Sequence, residues 1–257
     1  MEAKELIRRL QEHDETVLED ISPTEPRLAE IVSIRELDSE ARTLFIRGLA
    51  RQPSTASTEA LVQLLLDEEV QNAALAIHTL SQRKTPPPAS ALLKVLEQAG
   101  EPLIRRELFR LLGQQPDQTL RSAVRNQADR EEEEDAQLWA LAGLARFGDG
   151  EMERKLHEKI HQATSETASA LGEIVLYVGS RRLATGLLSW LSQDTIVRWL
   201  PPHRNPIGIR MCDLAIWTAH RLGISLQPAP TRLDRYSEPM RIAARKTIET
   251  LPKEESP

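Results

Sequence analysis

The apolar positions of this chain recur in a register that repeats along its length. Segments ending at Leu49, Leu80, Leu112, Leu144 and Val178 place these anchors 31, 32, 32 and 34 residues apart. Three residues before each anchor stand Ile46, Ile77, Phe109, Leu141 and Val175, and four before it stand Phe45, Ala76, Leu108, Ala140 and Ile174. All are apolar, and an α-helix turns once in about 3.6 residues, so an anchor and the residues three and four before it share one face. Directly after each anchor comes a small residue, Ala50, Ser81, Gly113, Ala145 or Gly179, as expected where two helices approach closely. Self-similarity of this period predicts stacked units, each contributing one such buried helix.

A first helix for each unit is predicted at Leu61 to Leu66, Leu92 to Leu96, Leu120 to Val124, Met152 with Leu156 and Ile160, and Leu183 to Leu191. Breakers separate the helices: Pro53, the Pro86-Pro87-Pro88 run, Pro102, Pro116 and Gly148 to Gly150. Thr85 before its prolines reads as a helix start, because proline is tolerated in the first turn where its missing N–H is not needed. The periodicity then divides the chain into an N-terminal helical cap (1–35), repeats (36–195) and a closing repeat (196–257). The cap holds a charged helix from about Glu2 to Glu19 and a short one near Leu28 to Val32. In the closing part, Trp199 to Pro206 reads as an extended, proline-rich insertion before a helix Ile209 to Leu222, and a basic helix Glu238 to Leu251 ends the stack.

Composition agrees with helix. Ala, Leu, Arg, Glu and Gln dominate, aromatics are only 4%, and β-branched runs are scarce, so almost no strand is expected. The net charge of −6 is unevenly spread: from Arg181 onward there are 12 Lys and Arg against 7 Asp and Glu, leaving 21 against 32 before it. An acidic body disfavours a general nucleic-acid binder, which needs many phosphate-neutralising cations. Cys212 is the single cysteine, so neither an internal disulfide nor a thiolate metal cage can form. The N-terminus is charged and no run of ~18 apolar residues follows, so a cytoplasmic protein that does not engage a membrane is expected.

The stretch Ile209-Arg210-Met211-Cys212-Asp213-Leu214-Ala215, running on to His220-Arg221-Leu222-Gly223-Ile224, resembles the closing repeat common in bacterial HEAT-like (armadillo-type) helical repeat proteins. With the tandem helix pairs, the resemblance covers about residues 25 to 225. It implies an all-α fold, a right-handed α-α superhelix of about six helix pairs with helical caps. The superfamily includes scaffolds, inhibitors, chromophore lyases and DNA glycosylases, so the resemblance is specific for architecture rather than activity.

Several motifs invite chemistry. His157-Glu158-Lys159-Ile160-His161 satisfies H-E-x-x-H, in which two His one helical turn apart bind zinc and the Glu serves as base. A third ligand is missing: Thr164 stands where the extended motif has Gly, no His follows at the proper offset, and Glu166 and Glu173 come too early for the usual distant Glu. Cys212 and His220 share an apolar helix more than two turns apart, too far for a nucleophile and its base, so Cys212 reads as a small buried hydrophobe. Asp213 on the same helix reads as an anchor for the Trp199 to Pro206 insertion through backbone N–H groups, Arg204 or Arg210. The acidic run Glu131 to Asp135 reads as a solvated helix N-terminus, where negative charge suits the helix dipole. Trp139, Trp190 and Trp217 read as core and Trp199 as exposed. No catalytic residue, metal site or cofactor is expected.

In stacks of this type the second helices line the concave side. Two residues before the anchors stand Arg47, His78 and Arg110, and two after stand Arg51 and Arg146; Arg106 lies one turn before Arg110. With Trp199 and Arg204 of the insertion, these form the expected partner-binding set. Arginine suits planar, bidentate capture of carboxylate. The expected function is therefore non-catalytic protein–protein interaction, as a scaffold, adaptor or inhibitor gripping an acidic partner. The alternative is a nucleic-acid binder or an enzyme of the HEAT-like DNA glycosylase type.

Overall fold

The computed structural model describes residues 3–17, 37–51, 53–115, 117–200 and 207–251. The order is α1 (Ala3–Gln11), α2 (Ser39–Arg51), α3 (Thr55–Gln63), α4 (Val70–Ser81), α5 (Ala89–Leu96), α6 (Pro102–Leu112), α7 (Arg121–Ala128), α8 (Glu134–Arg146), α9 (Gly150–His161) and α10 (Ala168–Val178). A 3₁₀ segment (Arg181–Ser192), β1 (Ile196–Leu200), β2 (Ile207–Arg210), α11 (Met211–Arg221) and α12 (Glu238–Glu249) complete it. Short 3₁₀ turns extend α3 through Leu64–Leu66 and precede α7 at Gln118–Leu120. The chain divides into two compact units, Met1–Ala140 and Leu141–Pro257, the division falling within α8.

In the first unit, the anchor helices lie side by side: α1 packs on α2, α2 on α4, and α4 on α6. The first helices make a second row, α3 on α5 and α5 on α7, and the rows join where α3 meets α2 and α4 and where α5 meets α6. This is the packing expected of paired helices repeating every 31 or 32 residues. Of the fifteen apolar anchor-face residues in the chain, only Val178, at the end of α10, is not buried. The cap helix α1 buries Leu6 and Leu10 and exposes Glu5 and Arg8; Arg8 pairs with Glu5 and with the exposed Glu12 just past the helix. It stops at Gln11, earlier than the expected Glu19, and His13 follows with φ of 53°. The predicted helix near Leu28 to Val32 lies outside the described residues.

Two boundary expectations change. The small residue after the anchor is not a close-approach position in every unit, since Ala50 and Gly179 are exposed while Gly113 is buried. It marks the helix end: Gly113 and Gly179 are C-caps, and Gly179 takes φ of 74°, the left-handed conformation that glycine adopts without strain. The helix start expected at Thr85 falls instead at Ala89, with Pro88 as its N-cap, because each proline holds the residue before it in extended backbone.

In the second unit, the 3₁₀ segment packs on α9, α11 and α12, and α10 packs on α11. Gly186 permits the first of these contacts: a Cβ there would lie 2.9 Å from Ile160 Cγ2 and 3.3 Å from the His157 carbonyl oxygen. The fully buried Trp190 donates its indole N–H to the Ile160 carbonyl at 2.7 Å, and the Ser189 hydroxyl donates to that of His161 at 2.9 Å. Both carbonyls belong to the last turn of α9, where no intrahelical donor remains. The segment read as an extended insertion begins and ends in an antiparallel ribbon, Arg198 opposite Ile209 and Leu200 opposite Ile207, with residues 201–206 outside the described set. These are the only strands among the described residues. β2 takes the residues expected to open the next helix, so α11 begins at Met211.

Candidate partner-binding surface

The packing of α2, α4 and α6 brings Arg47, His78 and Arg110 to equivalent positions on three adjacent helices. Arg51 and Arg106 lie one turn from Arg47 and Arg110 on their own helices. Arg47, Arg51 and His78 are exposed, and Arg106 and Arg110 are half-buried. Arg146 belongs to the second unit. Trp199 lies in β1, but its side chain and the whole of Arg204 fall outside the described residues.

The cations differ in what they already hold. Arg110 pairs with Glu107 at 2.6 Å, and Arg106 pairs with the same carboxylate at 3.0 Å and with Asp135 at 2.9 Å. The outer face of α6 is thus largely neutralised from within. By contrast, Arg47 and Arg51 make no hydrogen bond or ion pair with a described residue. Arg47 lines a cavity of about 370 Å³ with His13, Glu15, Ser39, Glu40, Thr43 and Leu44. In the second unit, Arg146, Arg181 and Arg182 share a cavity of about 590 Å³ with Glu153 and Ser180. The anchor register reaches Arg146 but misses Arg181 and Arg182, which lie between units; their adjacency at the start of the basic C-terminal third is the sequence feature that marks them.

Another set of arginines, not singled out by the repeat, joins successive helix pairs within the first unit. Arg42 on α2 donates to the Leu37 carbonyl and pairs with Asp67 at 2.6 Å, just before α4. Arg105 on α6 repeats the arrangement: it donates to the Leu96 and Ala99 carbonyls and pairs with Glu131 at 2.7 Å, just before α8. Both stand seven residues before their anchors. Glu131 is buried at 7% exposure, so the acidic run is not uniformly solvated as expected; its first member faces the protein. Arg83 follows α4 and reaches back to the carbonyls of Leu49 and Ser54 and the Thr58 hydroxyl.

His157 and His161 of the H-E-x-x-H motif are one turn apart on α9, but the His157 ring faces Thr185, whose hydroxyl is 2.9 Å from Nε2. Burial, with a smaller contribution from His161, lowers the His157 pKa below its ordinary value. Among the described residues, no group of three or more His, Cys, Asp or Glu side chains is placed to hold a metal ion. Burial and the neighbouring Asp213 raise the pKa of the Cys212 thiol, the reverse of what activates a nucleophile.

Asp213 is completely buried; of the groups expected to hold it Arg210 is one, Arg204 and residues 201–206 lie outside the described set, and its described bonds include none to the insertion. Arg210 grips it with two side-chain bonds of 2.9 Å, and the backbone N–H groups of Arg210 and Tyr236 donate at 3.0 and 2.9 Å. The carboxylate therefore ties the start of α11 to the segment before α12. Arg210 and Arg241 also converge on Asp194, at 2.9 and 3.0 Å. Trp139 and Trp190 are buried, whereas Trp217 is half-buried with the Arg221 guanidinium 5.8 Å from its ring centre.

No protein-family model, curated protein or solved structure matches the chain. Among the described residues no helix is long and apolar enough to cross a membrane.

Proposed function

We propose that the chain is a non-catalytic, cytoplasmic interaction module, a HEAT-like right-handed superhelix of about six helix pairs that grips an acidic protein partner. The observation that carries the reading is the row of anchor helices α2, α4 and α6 in the first unit, with guanidinium or imidazole groups at equivalent outer positions. A layer of parallel helices offers a broad, rigid surface, and side chains on it need no rearrangement to meet a partner. The lack of a described partner for Arg47 and Arg51 makes them the contacts of first choice, and the pairing of Arg106 and Arg110 with Glu107 makes those two secondary.

The test is binding of a partner isolated with the wild-type chain. Arg47→Glu with Arg51→Glu is expected to weaken the complex more than tenfold, since hydrogen bonds to charged groups contribute about 1.5–3 kcal/mol each. The thermal midpoint should not move. Arg8→Glu on α1 serves as the control, because Arg8 is exposed and, among the described residues, pairs with Glu5 on α1 and Glu12 just past its end. Undiminished binding by the double variant would remove the α2 face from the reading.

A further inference from the structure

We infer that the cavity bounded by Arg146, Arg181 and Arg182 is a receptor for two neighbouring carboxylates of an acidic peptide segment. The inference rests on the reading of the chain as a module for an acidic partner, and it assigns the seat. Among the described residues, three guanidiniums and one carboxylate, Glu153, line this space. That carboxylate is already engaged: the Ser180 hydroxyl donates to it, and Arg182 stands 3.7 Å away. Arg146 and Arg181 have no such described counter-charge and give the cavity its positive character.

Arg146 and Arg181 are held by groups that leave their charge intact. Arg146 donates to the Tyr177 carbonyl at 2.6 Å, and its guanidinium carbon lies 4.8 Å from the centre of the Tyr177 ring. A carbonyl and an aromatic face fix the fork in place without supplying a counter-charge. Its other N–H groups make no hydrogen bond with a described residue. Arg181 likewise reaches only a carbonyl, that of Gly223, at 3.4 Å. A cation held still and not neutralised loses little entropy on meeting an anion.

The ligand chemistry follows from size and lining. About 590 Å³ is within the ~300–1,000 Å³ range of ligand pockets and far exceeds one small anion. Ala145, Val178 and Leu251 give the wall an apolar part. Methylene stems of glutamate side chains suit that lining, and their planar carboxylates suit a pair of guanidinium forks. A bare phosphate would use the charge and leave the apolar wall unfilled.

Fluorescein-labelled hexaglutamate, followed by anisotropy at low salt with the full chain, is the probe. Arg146→Gln with Arg181→Gln should weaken binding at least about tenfold, in line with the loss of two charge-assisted contacts. Arg8→Gln should stay within about twofold, since Arg8 lines no part of the cavity. Glu153→Gln, which removes the one carboxylate of the wall, should tighten binding, a gain that unfolding cannot mimic. Wild-type affinity in the Arg146 and Arg181 variant, weaker binding by Glu153→Gln, or displacement of the peptide by equimolar inorganic phosphate would each overturn the assignment. If binding is lost in the Arg47 and Arg51 variant instead, the assignment falls and the module reading stands. No binding of hexaglutamate by the wild-type chain sinks both.

Discussion

The clasp between Arg105 and Glu131 is open to a thermodynamic test. Its partners are nearly enclosed, with side-chain exposures of 14% and 4% and a contact of 2.7 Å. Arg105→Met would leave the Glu131 carboxylate buried beside two carbonyls, those of Leu96 and Ala99, that had lost their donor. Breaking a buried pair from one side costs about 3–5 kcal/mol, because the remaining charge is desolvated and uncompensated. Residual access of water to Arg105 places this case near the lower end. For a chain of this size about 3 kcal/mol lowers the midpoint of thermal unfolding by about 6–12 °C. Glu131→Leu should cost less, since Arg105 keeps its two carbonyl acceptors and can turn toward solvent. The decisive species is the double variant, Arg105→Met with Glu131→Leu. Replacing both charges by apolar groups removes the desolvation cost with the attraction, and is often neutral or stabilising. Circular dichroism melts of the four proteins form a double-mutant cycle, in which the double variant should unfold above Arg105→Met alone. If the two losses simply add, the clasp is not a coupled buried pair and the energetic argument fails.

Gly186→Ala should destabilise the second unit by about 1–3 kcal/mol, because the new methyl would meet Ile160 Cγ2 at 2.9 Å in a closely packed interface; chemical denaturation measures it. His157 gives a pH prediction. Its folded-state pKa lies below the unfolded value, so the unfolded chain binds the proton first and stability falls as pH drops below about 6.5, whereas at higher pH both states are neutral and the contribution is flat. His157→Gln should flatten that part of the stability profile measured by urea titration, and an unchanged slope would exclude His157 as its source.

The anchor helices were legible because burial dictates their residues: Phe45, Ile46 and Leu49 must be apolar, and the period of 31 or 32 makes the pattern recur. Helix ends were less so. Ala50 and Gly179 looked like packing positions, since a small residue serves a close approach and a helix terminus equally well. The Arg198 to Ile209 pairing was hidden because four- or five-residue strands in a two-stranded ribbon carry too few alternations to register as a period. Asp213 could be recognised as an anchor from a carboxylate among apolar neighbours, but Tyr236, more than twenty residues on, could not be named as its partner. At the candidate surface, the positions of Arg47, His78 and Arg110 followed from the register. The neutralisation of Arg110 by Glu107 did not, because one turn of separation permits an ion pair without compelling it.

Arg42 and Arg105 are separated by two units, and each takes its carboxylate from the loop leading into the next anchor helix. On the intervening helix α4 the same position is Ala73. Asn72 beside it faces back to α2, accepting from the Thr43 hydroxyl at 3.0 Å, and so reinforces the joint that Arg42 already ties. Among the described residues the charged tie therefore recurs after 63 residues, two periods of the apolar pattern, and skips the joint between. Excising one pair would bring unlike joints together and strand a guanidinium without its acid. Excising two pairs would bring like to like, so shortening or lengthening of such a chain that preserves its polar ties should proceed two pairs at a time.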